Sequence, residues 1–253
     1  MSTDTTLLTR ARALWGRLAR VPAAFPPAGG VEVVVSPTSE LCPAGWVGAV
    51  ALGDAALVTV PDAHTATVVR DALAHLSVEA LVDGVSVRAV LPVAATLGPA
   101  ALAYVSPGRF RPADAGAPAV ERLSAGHAEL GRLEESAGDE DAVEAALDEI
   151  TSPAFVVRRQ GRVVAAAGYR AWPSRTAHLS VLTAPAERGR GLARVAGSAA
   201  VAHALAAGLL PQWRARPPAS RRVAASLGFA ELGSQLSMEL TADGGRPAYR
   251  RHP

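Results

Sequence analysis

Val181-Leu-Thr-Ala-Pro-Ala-Glu-Arg-Gly-Arg-Gly-Leu-Ala193 is the stretch from which the rest of the chain can be ordered. Leu179, Val181 and Leu182 read as strand, and Pro185 ends it, because proline cannot continue a ladder. Arg188-Gly-Arg-Gly191 then turns the chain into an alanine-rich helix beginning at Leu192. Glycines let the backbone come close to a ligand, and the first N–H groups of a helix have no internal acceptor. A positive dipole end with free donors suits phosphate oxygens. The flanking arginines add charge that can pair with them. The pattern fits a pyrophosphate.

These residues resemble a known family. Arg188-x-x-Gly191-x-Ala193 after a strand is similar to the acetyl-CoA pyrophosphate loop of the GNAT superfamily of N-acetyltransferases, Gln/Arg-x-x-Gly-x-Gly/Ala. The next segments follow in the family's order. Pro211-Gln-Trp-Arg214 reads as a second strand, and Ala219-Ser220 opens a helix ending at Leu227-Gly228-Phe229, which resembles the family's Asn-x-x-Ser and Leu-Gly-Phe segments. The resemblance covers roughly residues 120–240. It implies an α/β fold with a GNAT-like mixed, mostly antiparallel central sheet flanked by helices; the strand and helix pattern of the earlier residues reads as a smaller preceding α/β accessory domain. The expected division is an accessory domain at 1–110, compatible with a degenerate GNAT-like half, a GNAT-like domain at 119–241, and a loose tail at 242–253.

Composition bounds the remaining classes. With 253 residues, 49% hydrophobic and 19% charged, the chain can build a real core. All 25 basic residues are Arg, Lys and Asn are absent, and Ile150 is the only Ile. Those missing amino acids have A/T-rich codons, so the bias reads as that of a high-GC bacterium. A net charge of +2 gives no footprint for nucleic acid. Cys42 stands alone, which excludes a disulfide framework and a cysteine-based zinc site within one chain. No signal-peptide core and no apolar run long enough to span a bilayer is present. The expectation is a cytoplasmic protein with no nucleic-acid or membrane partner and no metal; oligomeric state leaves no mark in the sequence.

In chain order, residues 5–20 place Leu7, Leu8, Ala11, Leu14, Trp15 and Leu18 at helical spacing. Val31–Val35 reads as a strand, and Trp46–Leu52 and Ala55–Val60 flank a Gly53-Asp54 hairpin turn. Residues 62–76 predict a helix with Val68, Val69, Leu73 and Leu76 on one stripe, and Val85–Val93 and Ala100–Val105 predict strands. His64 and His75 lie about 16 Å apart along that helix, too far for one metal. A Pro/Gly-rich linker spans 107–118. Leu123, His127, Leu130 and Leu133 predict one helix, and Asp139-Glu-Asp141 starts another with Val143, Ala146, Leu147 and Ile150 inward. The ten carboxylates between 120 and 150 read as a solvated helix face, or as a rim for a cationic amine. A hairpin around Gln160-Gly161, a strand at 177–183, a helix at 192–207 stopped by Gly208, a strand at 209–214, a helix at 218–227 and a strand within 229–240 complete the reading.

The resemblance implies acetyl transfer from acetyl-CoA, as co-substrate, to a primary amine of a small molecule or protein. Val181, Leu182 and Thr183 would run beside the pantetheine arm and supply a backbone donor to the carbonyl. Arg188, Gly189, Arg190, Gly191, Leu192 and Ala193 would hold the pyrophosphate. Family members commonly carry a Tyr where this chain has Ala224 and an Asn where it has Pro217. Water or Ser220 would replace that Tyr beside the departing thiolate, Ser220 being the candidate side chain. His178 is the candidate base, since histidine titrates near neutrality; the competing reading is a histidine satisfied by a cross-strand partner. Glu149 and Tyr169 are weaker candidates for the acceptor pocket. With the Tyr and Asn missing, a non-catalytic acyl-CoA sensor or scaffold is the alternative. Gly-x-Ser-x-Gly and P-loop patterns are absent. Arg214, Arg216, Arg221 and Arg222 lack the interleaved aromatics of a single-strand binder.

Overall fold

Apolar runs punctuated by glycine and proline become a strand-rich chain. The computed structural model describes residues 3–27, 29–114 and 116–241; the expected tail at 242–253 lies outside them. In order the elements are α1 (Thr3–Leu18), β1 (Gly30–Val35), β2 (Val47–Leu52), β3 (Ala55–Val60), α2 (Ala63–Leu73), α3 (Gly84–Val90) and β4 (Val93–Tyr104). Next come β5 (Val120–Leu123), α4 (Ala128–Ala137), α5 (Asp139–Ala145), β6 (Ala154–Arg159), β7 (Arg162–Trp172) and β8 (Thr176–Thr183). The chain ends with α6 (Leu192–Ala206), β9 (Leu210–Ala215), α7 (Pro218–Ser226) and β10 (Ala230–Leu240).

The chain divides into two compact units that are not simple halves: residues 1–10 with 101–232, and residues 11–100 with 233–253. The expected division, 1–110 and 119–241, differs from this: residues 1–10 and 101–110 group with the later strands, and the residues from 233 group with the early ones. Residues Gly233–Met238 of β10 pair antiparallel with Leu52–Val47 of β2, so they complete the sheet built by the early strands.

In the unit of residues 11–100 and 233–253, β2 and β3 form the Gly53-Asp54 hairpin and β1 pairs parallel to β3. Every residue of β2 and β3 is buried, which explains their continuous apolar runs. Asp62 caps α2 by accepting from the Thr65 N–H at 2.8 Å, and Ala66, Val69 and Leu73 face the core. Val68 lies outside that stripe, 37% exposed. Residues 84–90 form α3 where a strand was expected. Asp83 caps its first turn through Ser86, and this local hydrogen bond outweighs the valines' preference for extended backbone.

In the unit of residues 1–10 and 101–232, the strand order is β4-β9-β8-β7-β6-β5, and β4 contributes its last residues, Ala101–Tyr104. All neighbours are antiparallel except β8 and β9. α6 packs small residues, including Ala196, Gly197 and Ala200, against one face with Trp213 and Phe155. The α4–α5 segment covers Ile150, Val156, Ala166 and Leu182. Close approach there requires Gly168, where a Cβ would meet Ile150 Cδ1 at 2.7 Å. Residues 120–123 form edge strand β5, paired with Leu123 opposite Ala154, instead of opening a helix. Val143 is 79% exposed where it was expected inward, because α5 stops at Ala146, which adopts a left-handed conformation, and the chain turns before the stripe can continue. Leu147 and Ile150 are buried as expected.

The feature that matters most is a short ladder. β8 and β9 pair in parallel only at Thr176↔Leu210, Ala177↔Pro211 and His178↔Gln212. Both strands then run on, to Thr183 and to Ala215, without pairing to each other, while β8 stays paired with β7 and β9 with β4.

Candidate functional site

A cavity of about 520 Å³ opens where that pairing stops. Leu179 to Thr183 of β8 form one wall, and Trp213 with the start of α7 forms the other. The Glu187–Gly191 turn and the first residues of α6 close one end, with Asp141 and Glu144 of α5 beside them.

The turn has the conformation its composition requires. Gly189 and Gly191 take φ of +76° and +75°, and a Cβ on either would point into open space. Only the left-handed backbone, not crowding, demands glycine there. Gly191 is the N-cap of α6 and supplies no side-chain acceptor; Val195 N–H returns to its carbonyl. Leu192, Ala193 and Arg194 line the cavity, and their N–H groups precede the first intrahelical bond, with the helix dipole behind them.

Side chains around the cavity contain unspent hydrogen-bonding capacity. Thr183 Oγ1 is buried with no partner among the described residues, and so is Arg194 Nε, although Arg194 spends its other nitrogens on Asp114 and the Pro112 carbonyl. Leaving such groups unsatisfied is costly, so both fit a ligand rich in acceptor oxygens. Trp213 Nε1–H donates to Ser220 Oγ at 2.9 Å. Arg188 donates to Asp141 and lies near the Thr183 carbonyl; Arg190 pairs with Glu187 at 3.2 Å; Arg216 pairs with Glu144.

Of the residues expected from sequence, Val181, Leu182, Thr183, Arg188, Gly189, Gly191, Leu192, Ala193 and Ser220 line this one cavity. Arg190 and His178 do not. His178 sits at the last paired position of the ladder, stacked on Trp172 with ring centroids 4.0 Å apart, its Nδ1 bonded to Gln212 Oε1. With an amide oxygen facing it, Nδ1 carries the proton. Burial foremost, then the Arg214 charge, lowers its pKa to about 3; the Gln212 bond opposes this and Arg170 adds to it. The imidazole is therefore neutral at pH 7 and a weak base. Gln212 is the cross-strand partner of the competing reading. Tyr169 lies in the core under α6 with its hydroxyl 2.9 Å from His203 Nδ1, and Glu149 is engaged with Arg170. Neither lines the cavity. The free Cys42 donates to the Trp46 carbonyl, and burial pushes its thiol up to about 11 against a Thr59 hydrogen bond, so it stays protonated.

Trp213 and Arg194 were missed; Trp213 read only as strand. Asp141 and Glu144 belong to the acidic run read as a solvated face or as the rim of a pocket, and they line this cavity. Nothing in their local spacing brings them together; the topology does.

Residues 152–234 match the family model described as GNAT acetyltransferase. The C-terminal part of the chain carries a GNAT domain. The matched segment runs from just before β6 into β10 and contains the loop and both cavity walls, with α5 outside it. Among solved structures, a GNAT-family protein from Novosphingobium aromaticivorans DSM 12444 shares 23% identity over 58% of this chain and 65% of its own, with a TM-score of 0.46. A GCN5-related N-acetyltransferase from Kribbella flavida shares 21% identity over 57% and 58%, with a TM-score of 0.44. A Salmonella typhimurium protein solved with its cofactor acetyl-CoA shares 19% over 53% and 99%, with a TM-score of 0.37. The chain thus spans under two thirds of the length of the first two. No curated protein matches it. Among the described residues, no helix is long and apolar enough to cross a membrane.

Proposed function

We propose that the GNAT domain binds acetyl-CoA and transfers its acetyl group to a primary amine of a small molecule or protein. The observation that carries this reading is the cavity between the unpaired parts of β8 and β9, with a helix N-terminus and glycine turn at one end and orphaned donors on its walls. A pyrophosphate would take the N–H groups of Leu192–Arg194 and the Arg188 guanidinium. The extended arm would lie along Val181–Thr183, whose unpaired edge leaves backbone groups free to hydrogen-bond amides. A backbone N–H of that edge would polarise the thioester carbonyl. The amine nitrogen attacks the carbonyl carbon, the C–S bond breaks, the thiolate leaves, and the proton lost by the nitrogen passes to water.

His178 enters this scheme as a neutral group bracing the closed end of the gap, since an imidazole of such low pKa collects few protons at pH 7. Ser220 lines the cavity as a side-chain hydroxyl on the β9–α7 wall, and the departing thiolate takes its proton from water. The same facts favour a second reading. Ala224 is buried, 2% exposed, in place of the family's Tyr, and the domain would then hold acyl-CoA as a sensor or scaffold without turnover. We place the protein in the cytoplasm, where a lone cysteine stays reduced.

Calorimetric titration of acetyl-CoA into the wild-type protein and Gly191→Glu tests the reading. The substitution sets a carboxylate beside the phosphate position and strains a backbone held at φ +75°. We expect micromolar binding in the wild type, lost in the folded variant by about 100-fold or more, which corresponds to about 2.7 kcal/mol. Absence of binding in the wild type would overturn it. An amine panel with thiol release as readout separates enzyme from sensor.

A further inference from the structure

We infer that Trp213 is a positioning residue: its indole N–H holds Ser220 so that the serine hydroxyl proton is offered to a carbonyl oxygen on the amide-bearing arm of the cofactor. The inference rests on the acetyl-CoA reading above. An indole N–H can only donate, so at 2.9 Å Ser220 Oγ is the acceptor. That bond occupies a lone pair and leaves the single O–H of Ser220 to find its own acceptor. None is found among the described residues, and Ser220 lines the cavity. Trp213 is well placed to fix this geometry. It is 4% exposed, meets Phe229 edge-on at 5.5 Å, and lies against Gly197 of α6, so its ring has no freedom to swing away. On the β8 wall, Thr183 Oγ1 is buried without a partner. The two walls of the gap therefore each carry a hydroxyl with capacity to spare. An arm bearing amides uses both, since each amide has a carbonyl to accept and an N–H to donate. The phosphates do not need this pair; the glycine turn and α6 serve them from the cavity's end.

The test compares two ligands, acetyl-CoA and adenosine 3′,5′-bisphosphate, which lacks the pantetheine arm. Both are titrated into the full-length wild type, Trp213→Phe, Ser220→Ala, the double variant, and Ser220→Thr. We expect Trp213→Phe and Ser220→Ala each to weaken acetyl-CoA about 3- to 10-fold, the range of one lost hydrogen bond. The double variant should be no worse than the poorer single, and Ser220→Thr, which keeps the hydroxyl, should stay within about twofold. Adenosine 3′,5′-bisphosphate should bind all five alike. Additive losses, equal losses for both ligands, or unchanged acetyl-CoA affinity would each overturn the inference while leaving the cofactor reading intact. A wild type that binds neither ligand removes the cofactor reading itself. If Trp213→Phe does not fold, the Trp213 indole N–H resonance, assigned by its shift in Ser220→Ala, decides. Acetyl-CoA should move it and adenosine 3′,5′-bisphosphate should not; the reverse, or no movement with acetyl-CoA, overturns the inference.

Discussion

The two sides of the cavity are built by different means. At the turn before α6, the functional groups belong to the backbone: three uncommitted N–H groups, a helix dipole and two glycines at positive φ. On the β9–α7 side they are side chains, Trp213 and Ser220, held by packing against α6 and Phe229. A backbone device tolerates almost any neighbouring sequence but needs its glycine. A side-chain device tolerates no change of hydrogen-bonding type, yet can be assembled from residues far apart in sequence. The turn carries the Arg-x-x-Gly-x-Ala pattern, and the opposite wall carries Pro217 and the buried Ala224.

The comparison can be broken first at the far end of the side-chain wall. Gly228, just beyond α7, sits at φ +89°, and a Cβ there would meet the Arg109 carbonyl oxygen at 2.0 Å. Gly228→Ala should cost about 3 kcal/mol, from backbone strain together with overpacking. By calorimetry its Tm should fall by roughly 6–12 °C. An unchanged Tm would mean the wall is not held there. By contrast, the damage from Gly191→Glu should appear in binding, with far less loss of Tm, because nothing crowds that site.

A smaller effect probes the point where the walls meet. His178 has a folded pKa of about 3 against an ordinary 6.5. Between those values the unfolded chain binds the proton and the folded chain does not, so stability is complete above pH 6.5 and declines as pH falls toward 3. Urea unfolding across that window should show a shallower slope in His178→Gln than in the wild type. An identical slope would mean the imidazole is not held neutral.

The smallest effect concerns the charged rim. Asp141 pairs with Arg188 at a half-exposed position, so on the proposed acetyl-CoA reading it would compete with a phosphate for the same guanidinium. Exposed pairs contribute at most about 1 kcal/mol. Asp141→Asn should tighten acetyl-CoA binding by about two- to fivefold at low salt, and the gain should vanish near 0.5 M salt as screening takes over. Weaker binding in the variant would show that the carboxylate serves the ligand and does not oppose it.

How far the sequence could be read follows from the range of the forces involved. The Gly53-Asp54 and Gln160-Gly161 hairpins, the Pro185 stop and the start of α6 depend on residues within one turn of each other, and they were legible. Residues 84–90 were not, because the Asp83 cap competes with valine's preference for strand, and a spacing argument does not weigh the two. Val143 was placed inward because a helical stripe was extended past the point where Ala146 leaves the helix. The edge strand at 120–123 has too few residues to show a period.

By itself the sequence determined the glycine turn, the order of strands and helices around it, and the identities of Pro217 and Ala224 on the opposite wall, since each is a matter of residue identity at short spacing. Only the tertiary structure decided that β8 and β9 stop pairing after His178 and Gln212, that β10 joins β2, and that Trp213, Ser220 and Thr183 meet around one cavity. Those facts come from long-range strand pairing and side-chain packing, and no local pattern encodes which distant residues will end up in contact.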